Sequence, residues 1–249
     1  GAFAATAYVH ELTGTMTGQY GAAAPRARKI GDTLDSGVTL STGANSTAIV
    51  KFEDGQLVVL APDTRFAVRE YRYNTKQIKD SNVVFALLQG GLRFVTGVIG
   101  ATNRNAFKLN VGTATIGVRG SDGTVLYNAI ADLVTAMVDN GALVIEHRGV
   151  IQNLPTGTFT QGTLKQALAA ARPFAQAAAN VLSDASRVRN RALPNNLPVV
   201  VASAARAAVA KEAARVAAEV AARPGATAAQ KALAAQAQAL AAATLQTAI

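Results

Sequence analysis

The segment Ser46-Thr-Ala-Ile-Val-Lys-Phe-Glu-Asp-Gly-Gln-Leu-Val-Val-Leu60 has the pattern of a β-hairpin. The apolar side chains Ala48, Val50 and Phe52 fall on one face of its first half. Between its two hydrophobic runs stands Asp54-Gly55, and Asp-Gly between two such runs is a strong signal for a tight turn. The segment therefore predicts two antiparallel strands joined at this pair.

The same features recur on both sides of this hairpin, from about residue 27 to residue 160. Asp122-Gly123 and Asn140-Gly141 also stand between strand-like runs and predict two further turns. Many short strands with frequent turns are typical of an antiparallel β-sandwich or a rolled sheet. A β-solenoid-like arrangement is the alternative.

The composition excludes several kinds of site. The chain has no cysteine, which rules out disulfides, thiolate metal sites and cysteine nucleophiles. Its two histidines, His10 and His147, are far apart in the sequence and adjoin no nucleophile elbow. No Walker loop or dinucleotide fingerprint occurs. We therefore expect a protein that is not an enzyme and has no catalytic, cofactor or metal site.

Residues 1–25 are expected to form an N-terminal extension with one strand, near residues 6–13. A lone strand needs a sheet to join, and either its own fold or a neighbouring subunit could supply one. The opening Gly1-Ala2-Phe3-Ala4 fits a mature N-terminus after signal-peptide removal, so we expect an exported protein. No window approaches the roughly 20 uninterrupted apolar residues of a membrane span, so we expect none.

Residues 161–249 form a different region, a basic tail rich in alanine. Alanine, the best helix former, accounts for 24 of the 51 residues from 199 to 249. Residues 160–249 carry 10 Lys and Arg against 3 Asp and Glu, which is most of the net charge of +9. Helices are expected near 161–171, 174–190, 199–222 and 227–246. Thr227 and Gln230 form a capping box that marks the start of the last one.

The last two predicted helices have narrow apolar seams. Their members are Val209, Val216 and Val220 on one helix and Leu233 and Leu240 on the next. These seams suit an antiparallel helix pair, yet alanine gives each helix little apolar area to bury. We therefore expect the tail to pack on the β-domain or on other copies of the protein.

Several short motifs of the β-region occur in the order seen in FecR-type domains. They are Gly31-Asp32-Thr-Leu34, Thr42-Gly43-Ala-Asn-Ser46, Phe52-Glu-Asp54-Gly55, Leu60-Ala-Pro62-Asp-Thr64, Gly90-Gly91-Leu92-Arg93 and Thr113-Ala-Thr-Ile-Gly117-Val-Arg119-Gly120. The chain resembles that family over about residues 29 to 160, and we place the FecR-like β-domain at 26–160. Ser121 departs from the family, which often has Thr after the Arg-Gly pair.

The resemblance implies an extracytoplasmic, β-rich domain of the bacterial envelope, periplasmic or at the cell surface. The namesake of the family relays the occupancy of an iron-citrate receptor to a sigma factor, using an anti-sigma segment and a membrane helix ahead of this domain. We expect a stand-alone member. The motif residues are interpreted as structural, with Arg119 in a buried ion pair; they are Gly31, Asp32, Asp54, Gly55, Gly91, Arg93, Arg119 and Gly120.

Two functions fit these observations. The first is a structural, self-assembling subunit of the envelope or extracellular matrix, with other copies of itself as partners. Its expected assembly contacts are Phe3, Tyr8, Val9, Leu12, Val209, Val216, Val220, Leu233 and Leu240. Anionic envelope polymers are further candidate partners, whereas nucleic acid is disfavoured because the basic residues are spread thinly and lack interleaved aromatics. The alternative is a periplasmic sensor, a ligand- or receptor-binding module in FecR-like signalling.

Overall fold

The computed structural model describes residues 6–173, 222 and 224–242, and this part of the chain is mainly β. The strands are β1 (Ala7–Thr13), β2 (Met16–Tyr20), β3 (Arg26–Ala27), β4 (Thr33–Leu34), β5 (Val38–Thr42), β6 (Thr47–Phe52), β7 (Leu57–Leu60), β8 (Arg65–Arg72), β9 (Asn82–Val95), β10 (Phe107–Val111), β11 (Ala114–Asn128), β12 (Leu133–His147), β13 (Val150–Pro155), β14 (Thr158–Thr163) and β15 (Arg172–Pro173). The helices are α1 (Val98–Thr102) and α2 (Ala228–Ala242), with a 3-10 turn at Ile78–Asp80.

The strands form one sheet that folds over on itself into two layers, which confirms the predicted β-sandwich class. The first layer runs β15-β14-β12-β11-β9-β7-β6-β1-β4. The second runs β3-β2-β5-β8-β9-β10-β11-β12-β13. All these neighbours are antiparallel except β9 and β10, which are parallel. Strands β9, β11 and β12 belong to both layers because each is long enough to cross between them.

Glycines mark the places where these three strands cross. The first half of β9 pairs with β8 and β10, and its second half pairs with β7 and β11. Gly90, with φ of 99°, lies between the two halves. Gly120 in β11 and Gly141 in β12, with φ of 62° and 83°, lie at the corresponding bends. Positive φ is accessible to glycine without steric cost, so these residues let the strands bend.

This arrangement corrects two of the three predicted turns. Asp54-Gly55 does join β6 to β7 in an antiparallel hairpin. Asp122-Gly123 and Asn140-Gly141 instead lie inside β11 and β12, where the register between the two strands shifts. Each pair marks a bulge inside a long strand. The prediction of a turn was wrong because local sequence does not distinguish such a bulge from a turn that ends a short strand.

The main core lies between the layers and has a chain of phenylalanine rings at its centre. Phe85 contacts Phe52, Phe66 and Phe107 with ring centroids 4.9 to 5.3 Å apart, and Phe94 continues the chain from Phe107 at 5.8 Å. These residues come from both layers, so the rings join the two layers across the interior.

The tail differs from the prediction near its start and agrees with it near its end. The helix predicted over 161–171 is wrong: Thr158–Thr163 is strand β14, paired with β12, and Leu164 is buried in the main core. The helix predicted over 227–246 is confirmed as α2, with the Gln230 amide donating to Thr227 Oγ1 at 3.2 Å and the Thr227 amide donating to Gln230 Oε1 at 2.9 Å. The predictions at 174–190 and 199–222 fall, but for residue 222, outside the described residues. None of the described helices is both long and apolar enough to cross a membrane.

Candidate functional site

A groove lies on the outer face of the second layer, built by β10, β11 and β12. Phe107, Leu109 and Val111 of β10 are buried in the core, so strand alternation directs Lys108 outward. Lys108 stands opposite Gly117 of β11.

The neighbouring positions of β11 and β12 complete the walls. Thr115 of β11 stands opposite Glu146 of β12, and Gly117 opposite Val144. Arg119 follows two residues later on the same side of β11. The groove therefore combines outward-facing positions from three adjacent strands.

Gly117 opens the groove because it has no side chain. A Cβ atom there would have only ordinary contacts, 3.7 Å from the Val144 carbonyl oxygen and 3.9 Å from Val144 Cβ. The resulting cavity has a volume of about 220 Å³. It is lined by Arg104, Asn105, Phe107, Lys108, Thr115, Gly117, Arg119, Val144 and Glu146.

The charge of the groove is predominantly positive. Among the described residues that line the groove, Arg104, Lys108 and Arg119 are exposed cations, and Glu146 is the one acidic residue. Within the described part of the chain these cations have no ion-pair partner. Guanidinium and ammonium groups with free donors bind carboxylates and phosphates through charge-assisted hydrogen bonds. The groove is therefore suited to an anionic group.

Asp54 anchors the segment that brings Arg104 to the groove. Its carboxylate Oδ2 accepts a hydrogen bond from the Ile99 amide at 3.1 Å, and its carbonyl oxygen accepts one from the Val98 amide at 3.0 Å. The Tyr71 hydroxyl donates to Asp54 Oδ1 at 2.9 Å, and burial together with the Asp54 charge raises the pKa of Tyr71. The motif Asp54-Gly55 thus joins the hairpin turn to α1, the helix that leads into the groove loop.

The buried arginine of this fold is Arg93, not Arg119. Arg93 Nε lies 3.6 Å from Asp139 Oδ2, and both side chains are 2% exposed. The expectation of a buried ion pair at Arg119 is wrong, because Val118 faces the core and alternation places Arg119 on the outer face.

The remaining motif residues are dispersed through the fold and do not form one site. Asp32 Oδ2 accepts a hydrogen bond from the Lys29 amide at 3.0 Å, in the turn that places Gly31 beside Val9 of β1. Gly55, with φ of 85°, lies in the β6–β7 turn. Gly91 lies under α2. His10 is on β1 and His147 at the end of β12, strands that are not neighbours in the sheet.

The residues expected to make assembly contacts have varied positions. Val9 is buried in the main core, Leu12 is half-buried against it, and Tyr8 is 39% exposed. Leu233 and Leu240 of α2 are buried against the first layer. Phe3, Val209, Val216 and Val220 lie outside the described residues.

Strand β1 already has partners within the chain. Val9 pairs with Val50 of β6, and Ala7 pairs with both Phe52 of β6 and Leu34 of β4. The N-terminal region also contributes a second strand, β2, which pairs with β3 and β5. The N-terminal region is therefore part of the sheet of its own molecule.

Sequence reasoning missed most of the groove. Arg104, Asn105, Lys108, Thr115 and Glu146 were not among the candidates. The alternation Phe107-Lys-Leu-Asn-Val111 does indicate that Lys108 faces outward. The alternation does not indicate which strands lie beside β10. The pairing of β10 with β11 brings Lys108 and Arg119 to the same groove as Arg104.

Residues 38–142 match the sequence profile of the family described as "FecR protein". Two solved structures similar to the chain are both described as candidate anti-sigma factors from Parabacteroides distasonis. The first is 16% identical, with a TM-score of 0.43, over 57% of this chain and 63% of that one. The second is 14% identical, with a TM-score of 0.44, over 61% of this chain and 72% of that one. No curated protein matches the chain.

The family match corrects the first of the two expected functions. A FecR domain indicates a role in signalling or sensing, so the expectation of a structural, self-assembling subunit is wrong. The family is in general non-enzymatic. The motifs that carry the resemblance lie largely within residues 38–142, and this range also includes the crossing glycines Gly90, Gly120 and Gly141. Over residues 38–142 this chain therefore carries a match to the FecR family.

Proposed function

We propose that this protein is a non-catalytic, extracytoplasmic binding module of FecR-type signalling, which recognises a ligand or receptor through the groove of the second layer. The observation that carries the proposal is a groove with three cations that have no ion-pair partner among the described residues, and most of its lining lies within the FecR match. Family membership supports the signalling role, and the charge of the groove supports an anionic group as what it recognises.

Each groove residue has a defined part in this recognition. Arg104 and Arg119 can each offer two parallel N–H donors to a carboxylate, which fixes its orientation as well as its position. Lys108 adds a third positive charge, and Asn105 and Thr115 can supply neutral hydrogen bonds. The carboxylate of Glu146 repels negative charge on its side of the groove. An anionic group is therefore expected to bind at the two arginines.

An acidic segment of a receptor fits this surface better than a small molecule that is fully enclosed. The groove is open to solvent, and its charged residues are exposed. Exposed charges that complement a partner raise the association rate and set specificity. The partner is therefore expected to bind with an affinity that decreases as salt concentration increases.

Site-specific photo-crosslinking in cells tests the proposal. A photoreactive residue at Thr115 should give a discrete product with another envelope protein, and Arg119→Glu should abolish that product. The same photoreactive residue at Ala235, on the exposed side of α2, is the matched control.

Two outcomes would count against this function. One is a Thr115 product that contains only copies of the protein itself. The other is a product with a second protein that persists unchanged in the Arg119→Glu variant.

A further inference from the structure

The outer face of the first layer is apolar, and helix α2 covers it. Strand residues that face away from the main core form a second hydrophobic cluster together with the helix. The members of this cluster from the sheet are Ile49, Leu57, Val59, Val95, Leu126, Leu133 and Met137, together with Ala61 directly after β7. Without α2 these side chains would form a contiguous apolar surface, a feature that marks interaction sites in soluble proteins.

The helix fits this face through few side chains. Leu233, Ala237 and Leu240 lie on one side of α2 and are buried in the second cluster. Gly91 of β9 provides the space for one of them, because a Cβ atom there would lie 3.3 Å from Leu240 Cδ1 and 2.8 Å from Leu126 Cδ2. The face thus has a notch that accepts a leucine of a helix lying over it.

Two features make this attachment weak for a helix of 15 residues. Most of its residues are alanine, which contributes little buried apolar area. In addition, Gln236 is buried at 8% exposure, and its Oε1 accepts no hydrogen bond within the described residues. An unsatisfied buried oxygen opposes docking, because release of the helix would return it to water.

The helix is distant in the sequence from the strands that it covers. Residues 174–227 separate β15 from α2 along the chain. Because the helix and its binding face belong to the same chain, docking is an intramolecular binding event with a high effective concentration.

We propose that the outer face of the first layer is a helix-binding site and that α2 is its releasable ligand within the chain. A partner that replaces α2 would be a helix with two leucines seven residues apart and alanine between them. Release of α2 exposes the face, and docking masks it. This inference does not depend on the groove of the second layer.

A binding assay with the full chain tests the proposal. The probe is a fluorescein-labelled peptide of residues 224–242. The Leu233→Asp/Leu240→Asp chain cannot bury its own helix, so it should bind the peptide at least tenfold more tightly than the unmodified chain does. A peptide carrying the same two substitutions should bind neither chain. Ala235→Asp/Gln238→Asp, at two exposed positions of α2, is the matched control and should behave as the unmodified chain.

Two results of this assay would overturn the proposal. In one, the Leu233→Asp/Leu240→Asp chain keeps its strand spectrum in circular dichroism and does not bind the peptide. In the other, the unmodified chain binds the peptide as tightly as the variant does, which would mean that α2 does not occupy the site.

Hydrogen exchange on the unmodified chain keeps the proposal testable if the double variant does not fold. A releasable helix opens without global unfolding. Amides of residues 232–242 should therefore exchange at least a hundredfold faster than the core amides of β9 and β11. Equal protection of α2 and of these strands would show that the helix opens only when the sandwich unfolds, and would overturn the proposal.

Discussion

Both layers of the sandwich have a glycine on their outer face, and the surroundings of these two glycines differ. Above Gly91 in the first layer are Leu126 and Leu240, so the glycine is covered by another side chain and a helix. Above Gly117 in the second layer is open space bordered by Arg104, Lys108 and Arg119. One face is apolar and covered, and the other is charged and open.

The difference shows how burial and charge set the stability of each outer face. An apolar face loses stability when it is exposed to water, so it needs an occupant, and α2 supplies one. A charged face is stable in water without an occupant, so it can remain open for a partner that comes and goes. Two carboxylates of β12 also differ in exposure, since Asp139 is buried beside Arg93 whereas Glu146 is exposed in the groove.

The largest expected effect concerns two carboxylates of β12. Asp139→Asn removes the negative charge that lies beside the buried guanidinium of Arg93 and should lower the free energy of unfolding by about 3–5 kcal/mol. Glu146→Gln, on the exposed face of the same strand, should change it by less than about 0.5 kcal/mol. Urea denaturation measures both. Equal losses would show that the two faces do not differ in burial.

The two glycines give the next effect. Gly91→Val places methyl groups against Leu126 and Leu240 and should cost about 1–3 kcal/mol through overpacking. At Gly117 an added Cβ atom meets no atom closer than ordinary contact, and the position borders an open groove, so Gly117→Val should leave stability within about 0.5 kcal/mol. Thermal unfolding checks both changes. A larger loss at Gly117 than at Gly91 would contradict the assignment of the covered face.

A smaller effect is expected in binding rather than in stability. Arg119→Gln removes a charge-assisted contact and should weaken the binding of a Glu-rich peptide by about tenfold, or about 1.4 kcal/mol. Arg72→Gln, an exposed arginine at the end of β8, is the matched control and should leave affinity unchanged. Fluorescence anisotropy of the labelled peptide measures both. The same affinity in both variants would show that the peptide binds outside the groove.

The smallest effect lies at alkaline pH and involves neither outer face. Burial and the hydrogen bond to Asp132 raise the pKa of Tyr127 to about 12. The folded state therefore favours the neutral phenol, so this stabilisation is complete below about pH 10 and is lost as pH rises towards 12. Tyr127→Phe should reduce the decrease of stability between pH 10 and 12. Urea midpoints across that range test it, and a decrease as steep as that of the unmodified chain would contradict it.

The sequence was sufficient for the parts of the fold that depend on local pattern. The Asp54-Gly55 hairpin and the Thr227–Gln230 cap follow from residues close together in the chain. The crossing of β11 and β12 between layers does not, because Asp122-Gly123 and Asn140-Gly141 have the composition of turns and become bulges only through pairing with distant strands. Residues 161–171 were misassigned for a related reason: pairing of β14 with β12 outweighs their local helix propensity.

The candidate groove was even less accessible from sequence. The motif singles out Arg119 but does not show that it is exposed, because the apolar run before it does not indicate to which side its side chain points. Arg104 and Glu146 are 42 residues apart and meet only because β10, β11 and β12 are adjacent. Chemistry that depends on register between three strands requires the structure.

The most direct test of the open, charged face is the salt dependence of Glu-rich peptide binding to three full-length chains. The unmodified chain should bind more weakly as salt increases, and Arg104→Gln/Lys108→Gln/Arg119→Gln should lose at least tenfold in affinity at low salt. Leu233→Asp/Leu240→Asp, which alters only the covered face, should bind the peptide as the unmodified chain does. An affinity of the triple variant equal to that of the unmodified chain would contradict the assignment of the groove as the recognition site.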